Sequence, residues 1–208
     1  MSQRERGLYS FLYHPRVYRW SQDLLGDRNL VRVASETLLR AKPGDRLLDL
    51  GCGTGNLLEF LPAVRYTGLD NNPEYIAFAR KRYGDQGAFV VGDLGCLDQS
   101  VDLREKFELI ALLGVTHHLS DETVLDLYRQ ARLLLTETGR VCVVDPCLHD
   151  RQPWIARQLA EKDRGNHVRR LEEYPRLARE VFPSVRFELR QGILRIPYSY
   201  LFMEMAAV

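Results

Sequence analysis

Three aspartates, three closely spaced glycines and three histidines are the residues of this 208-residue chain whose types and spacing could do chemistry. Asp49 ends the apolar run that starts at Leu47 and stands two residues before Gly51, Gly53 and Gly55. Asp70 follows 21 residues later, with Asn71 beside it, and Asp93 closes a third short apolar run, Ala88 to Val91. Glycines at every second position permit positive φ and put no Cβ between the backbone and a ligand, so the loop can press against something large. A carboxylate accepts hydrogen bonds at both oxygens, so Asp70 can hold both hydroxyls of a ribose. His117 and His118 stand just past a fourth apolar run, and His167 lies in Gly165-Asn-His-Val-Arg-Arg170. All three are candidate general bases. Arg169 and Arg170 could bind an anionic or hydroxylated substrate.

These residues need strands and helices to carry them. Apolar runs at 46–50, 65–69, 88–91, 107–113 and 140–144 alternate with helical patterns. Strict alternation predicts a parallel sheet with helices on both faces. In such a sheet the carboxyl ends of the strands line the ligand crevice, and all three aspartates sit at those ends. The glycine loop is expected to open the next helix. Asn72-Pro73 supplies an N-cap and a first-turn proline for a helix reaching Tyr83, with Ile76 and Ala79 on its buried face, and Gly84 stops it. Ser120 caps a helix whose core face is Val124, Leu125, Tyr128, Ala131 and Leu135. Residues 8–41 read as aromatic-rich helix. Tyr9, Tyr13 and Tyr18 could fold over the site as a lid, although ordinary packing also accounts for such aromatics. Residues 150–181 read as helices joined by a charged loop from Lys162 to Asn166.

Two strands close the chain. Val185, Phe187 and Leu189 alternate with charged residues, and a final run extends from Ile193 to Met205 with an irregularity expected at Pro197. Tyr198 and Tyr200 share a face there, with Met203 opposite. They are core residues first and candidate pocket residues second.

The totals exclude several classes. Lys and Arg total 29 against 28 for Asp and Glu, so no strong overall field attracts nucleic acid or an anionic membrane. Cys52, Cys96, Cys142 and Cys147 form no CxxC pair and read as reduced thiols of a cytoplasmic protein; no metal site is expected. No apolar run is long enough to cross a bilayer, and no leader-like apolar segment follows the N-terminus. The length suits one domain. Its expected parts are a helical lid over 1–41, a cofactor-binding core over 42–146, and substrate-side helices and terminal strands over 147–208.

The loop itself narrows the ligand. Dinucleotide-binding turns read G-x-G-x-x-G, whereas here Asn56 occupies the last glycine position, and the Gly-Lys-Ser/Thr of a phosphate loop is absent. An acid two residues before the first glycine suits a cationic cofactor better than a pyrophosphate. Together, Asp49-Leu-Gly-Cys-Gly-Thr-Gly55, Asp70, Gly92-Asp93 and Gly114-Val-Thr-His-His-Leu-Ser-Asp121 resemble a class I S-adenosylmethionine-dependent methyltransferase of the small-molecule type, over about residues 44–146. The resemblance implies an α/β fold with a seven-stranded, mostly parallel sheet and a C-terminal β-hairpin. It implies that Gly51, Gly53 and Gly55 lie against the methionine part of S-adenosyl-L-methionine, with Asp49 near its amino group. Asp70 would hold the ribose hydroxyls, Asn71 beside it would also belong to the cofactor site, Asp93 with the Leu94 backbone would meet the adenine, and Gly114 would border the methyl group.

The acceptor is approached mainly by exclusion. Methyltransferases of exocyclic amines often carry Asp/Asn-Pro-Pro-aromatic where this chain has Gly114-Val-Thr-His-His. Cys147 stands where RNA cytosine methyltransferases carry a nucleophile, but a small loop residue is the simpler reading. The expectation is methyl transfer to an O, N or C atom of a small molecule, with no nucleic-acid partner and either a monomer or a homodimer. An RNA or protein methyltransferase, or a non-catalytic partner subunit of this fold, are the alternatives.

Overall fold

Alternating side chains on each strand send apolar groups to both faces of one sheet, so helices must cover both. The computed structural model describes residues 27–97, 105–163 and 165–208. Its strands are β1 (Arg46–Leu50), β2 (Arg65–Asp70), β3 (Ala88–Val91), β4 (Phe107–Leu113), β5 (Leu135–Pro146), β6 (Ser184–Gln191) and β7 (Ser199–Ala206). They form one seven-stranded sheet in the order β3-β2-β1-β4-β5-β7-β6. β1 to β5 pair in parallel, and β7 runs antiparallel to both β5 and β6. The strand order reverses between β1 and β4, and a crevice opens at the carboxyl ends there.

The helices are α1 (Asp27–Ala34), α2 (Pro73–Tyr83), α3 (Asp121–Leu134), α4 (Trp154–Glu161) and α5 (Glu173–Arg179). Leu48 and Leu50 of β1 join a core with α3 and α5, whereas Leu47 joins the opposite core with α1 and α2. All three leucines are fully buried. Each contributes at most about 1.5–3 kcal/mol by burial. The Asn72 side chain accepts from the amides of Glu74 (2.9 Å) and Tyr75 (3.3 Å), and the Ser120 hydroxyl accepts from Thr123 N (3.3 Å), so both caps form.

Four local expectations change. The glycine loop leads not to an α-helix but to a single 3-10 turn, Asn56–Phe60. Pro62 drives its predecessor Leu61 to extended backbone (φ −98°, ψ 149°), which leaves no room for a second turn. α1 gives way to a wider π turn at Ser35–Leu39 that ends at left-handed Arg40, so the helix stops short of 41. α3 ends at Leu134, and β5 starts at once with Leu135 rather than at Arg140. Gly139 sits inside β5, where a Cβ would stand 2.8 Å from the Phe107 carbonyl, beside a register shift in the β4–β5 pair. The glycine therefore permits a close strand approach instead of marking a helix end. The last strand begins at Ser199, after Pro197, and not at Ile193. Tyr198 and Tyr200 pack with one core and Met203 with the other.

Candidate active site

β1 and β4 deliver two loops to the switch point. Gly51, Gly53 and Gly55 all have positive φ (78°, 55° and 78°), and so does Gly114 (71°). The first and third glycines are packed tightly. A Cβ on Gly51 would lie 2.6 Å from Val115 Cγ2, and one on Gly55 would lie 2.9 Å from the Phe89 ring. The middle one differs, because a Cβ on Gly53 would meet nothing within 4 Å among the described residues. The loop is thus pinned at one end to the loop after β4 and at the other to β3, and open at its crest, which is where a ligand can lie against bare backbone.

Asp70 braces that crest. One of its oxygens accepts from Gly53 N (2.9 Å) and the other from Asn72 N (2.9 Å). An ionised carboxylate has about four lone-pair sites, so each oxygen keeps capacity for a ribose hydroxyl. Burial raises the Asp70 pKa, and the two amides hold the rise back. Asp49 is nearly inaccessible and accepts from the Tyr66 hydroxyl at 2.6 Å. Burial pushes its carboxyl up to about 7, against the lowering effect of the Tyr66 bond and with a further rise from the Asp70 charge. A cation placed beside Asp49 would reverse that penalty, so the donor set fits a positively charged amino-acid portion of a cofactor. Asp93 is exposed at the end of β3 and accepts from Gly95 N (2.8 Å); Leu94 beside it is buried.

The histidines separate. His117 and Thr116 face Asp145, the buried carboxylate at the end of β5. His117 Nδ1 and the Thr116 hydroxyl are both hydrogen-bonded to it, and Thr116 N donates at 3.1 Å. On its other side His117 Nε2 lies 3.4 Å from Asp163 Oδ1. Burial would lower the His117 pKa, but the charges and hydrogen bonds of Asp145 and then Asp163 outweigh it and raise the pKa to about 9. His117 is therefore a cation at neutral pH, with both nitrogens directed at carboxylates. The His118 ring lies beside that of His117, with centroids 4.0 Å apart and planes tilted by 39°. Together with His167 and Asp93 it lines a cavity of about 270 Å³, with Gly95, Leu119, Ser120, Thr123 and Asn166. The glycine loop and Asp70 are not in that lining.

Arg169 is buried, and its guanidinium donates to the carbonyls of Thr116 (2.8 Å), Leu119 (2.6 Å) and His167 (3.2 Å) and to Asp121 Oδ1 (2.8 Å). It ties the β4 loop to the segment after α4. Arg170 pairs with Asp150 and is exposed. The Tyr198 hydroxyl donates to Asp163 Oδ2 (2.7 Å) and to the Leu159 carbonyl (3.0 Å); Tyr200 is buried. Tyr9, Tyr13 and Tyr18 lie outside the described residues. The Cys147 thiol is buried and pushed up to about 12 by burial, with Asp145 adding to the rise, so it is not a nucleophile in this fold. Sequence reasoning missed Tyr66, Asp145 and Asp163. Asp145 did carry a signal, as one more acid at a strand end, but Cys147 drew the notice there.

A family model described as a methyltransferase domain matches residues 41–183, more than half of the chain. The chain belongs to this methyltransferase family. It is 33% identical over 85 residues to a ubiquinone biosynthesis O-methyltransferase of Azorhizobium caulinodans, covering 40% of this chain and 34% of that protein. It is 30% identical over 83 residues to a probable fatty acid methyltransferase of Mycobacterium tuberculosis, covering 39% of this chain and 19% of the relative. The match thus spans 34% and 19% of the length of these curated relatives. Among solved structures, the plantazolicin methyltransferase BamL with S-adenosylhomocysteine has the same fold, with TM-score 0.64 and 15% identity over 96% of this chain and 94% of BamL. Among the described residues, no helix of this methyltransferase is long and apolar enough to cross a membrane.

Proposed function

We propose that this chain binds S-adenosyl-L-methionine across the carboxyl ends of β1, β2 and β3 and transfers its methyl group to an O, N or C atom of a small molecule. The observation that carries the reading is the open crest of the glycine loop at Gly53, held from below by Asp70 and flanked by buried Asp49. Bound there, the cofactor supplies an electrophilic methyl on a sulfonium that is already a good leaving group. The protein's own task is placement. Asp70 and Asn71 hold the ribose, Asp93 and the Leu94 backbone face the adenine, and Gly114 leaves space at the methyl. Such positioning is worth on the order of 7–11 kcal/mol in favourable cases, and a closed cleft excludes competing water.

A proton on the acceptor needs a base. His118 and His167 line the cavity and suit that role. His117 suits it poorly, because both of its nitrogens are engaged. The near-balanced charge favours a small acceptor over a polyanion, and the ubiquinone and fatty-acid relatives agree in kind. The test is a methyl-transfer assay against a panel of hydroxylated, carboxylated and amino metabolites. One added methyl on an acceptor, abolished by Asp70→Ala, is the expected result. Transfer to bulk RNA or to protein substrates alone would overturn the small-molecule part of the reading.

A further inference from the structure

α4 is thinly attached to the body of the protein. It buries only Ala156 and Ala160, and leaves Trp154 75% and Ile155 47% exposed. The residues that follow it nevertheless form a wall of the cavity through Asn166 and His167. Something other than apolar burial must hold them there, and four contacts converge on His117. Its Nε2 faces Asp163 Oδ1 at 3.4 Å. Its carbonyl accepts from His167 N at 2.9 Å. Gly165 lies so close to the ring that a Cβ would stand 2.0 Å from Cδ2. Its Nδ1 is anchored to buried Asp145 on the sheet. Asp163 is fixed in turn, with Oδ1 accepting from Gly165 N (2.9 Å) and Oδ2 from the Tyr198 hydroxyl (2.7 Å).

We propose that Asp163 is a positioning residue: it latches the segment carrying Asn166 and His167 onto His117, which acts as a cationic bolt between Asp163 and Asp145. Its use in catalysis rests on the methyltransferase reading; the latch itself does not. A protonated imidazole donates from both nitrogens, so it can satisfy a carboxylate on each side. Loss of one proton leaves a lone pair at Nε2 against the Asp163 oxygen, and the contact turns repulsive.

Among the described residues, the other groups around the bolt do not replace that proton. From β5 comes Asp145, and Tyr174 donates to the neighbouring Pro146 carbonyl at 2.7 Å. The His118 ring lies alongside, tilted against it. Arg169 reaches the Thr116 and His167 carbonyls and not the Asp163 carboxylate. The latch is therefore held while His117 is charged and released as pH rises through the histidine's folded pKa, about 9. At the acid end it persists well below neutrality, because His117 and the other donors offset the burial of Asp163 and lower its carboxyl to about 2.

The test reads amide hydrogen exchange at His167 and the His117 imidazole resonances by NMR, from about pH 7 to about pH 10, in wild type and in Asp163→Asn. The asparagine keeps the shape and an acceptor for Tyr198 but removes the charge. In wild type, protection of the His167 amide should fall as His117 deprotonates. In Asp163→Asn it should be about tenfold or more lower at neutral pH, and the His117 pKa should drop by about one unit or more. Tyr198→Phe, which takes one bond from Asp163 and leaves its charge, should give a smaller change in the same direction. Protection and His117 pKa equal to wild type in Asp163→Asn would overturn the latch. If that variant does not fold, a wild-type His167 amide whose protection ignores His117 titration overturns it instead. Calorimetry of wild type with S-adenosylhomocysteine runs alongside: failure there removes the methyltransferase reading and leaves the latch result standing.

Discussion

Asp49→Asn should stabilise the protein while weakening its hold on the cofactor. The Asp49 carboxyl is buried, and its pKa is raised from 3.8 to about 7. A carboxyl raised on folding costs nothing well below its unfolded pKa, where both states are protonated. The cost grows between 3.8 and about 7 and is complete above. A rise of roughly three units corresponds to a ceiling of about 4 kcal/mol at 1.36 kcal/mol per unit. Asparagine has nearly the same shape, and its amide oxygen can still accept the 2.6 Å bond from Tyr66. In urea titrations at about pH 5 and about pH 8.5, the variant's advantage over wild type should widen by about 2–3 kcal/mol toward the higher pH. At about pH 8.5 its melting temperature should be higher by at least about 4 °C, from roughly 2–4 °C per kcal/mol for a chain this size. Cofactor affinity should fall about tenfold or more, the worth of a lost charge-assisted contact. An advantage that does not change with pH, or a variant less stable than wild type at the higher pH, would refute the reasoning.

Wild-type affinity for S-adenosyl-L-methionine should itself decline as pH drops below about 7, where Asp49 takes up a proton, and calorimetry at several pH values should find this slope missing in Asp49→Asn. Gly51→Ala and Gly53→Ala should part company in melting experiments and binding assays. The first drives a methyl into Val115 and should cost about 2–4 kcal/mol of stability. The second meets no atom of the described residues, should cost about 1–2 kcal/mol through its positive φ, and should lose cofactor affinity. Of the four cysteines only Cys96 is exposed, so a thiol reagent should label one site quickly in the native protein and spare Cys147.

The sheet was legible because local patterns decide it. The parallel strands are built around short apolar runs, α2 and α3 carry side-chain caps, and Asp49, Asp70 and Asp93 announce the strand ends. Local rules also explain two of the misplaced boundaries, since Pro62 and Pro197 act through the residues beside them. Pairings across long separations were not legible. His117 meets Asp145 and Asp163 only because β4, β5 and the turn after α4 converge, so the candidate base could not be recognised as a buried ion pair from Gly114-Val-Thr-His-His alone. Arg169 likewise read as a substrate contact, whereas its donors are taken up by carbonyls 50 and 53 residues away and by Asp121. Tyr66 stands near the start of β2, where nothing in its own run signals a carboxylate across the strand pair.

The central claim is that the braced glycine loop is a cofactor site. Titration calorimetry of the folded chain with S-adenosyl-L-methionine and S-adenosylhomocysteine, beside Asp70→Ala, tests it most directly. Saturable one-site binding of both by wild type, and its loss in Asp70→Ala, is the expected result. No heat of binding in folded wild type, or equal affinity in the variant, would contradict it.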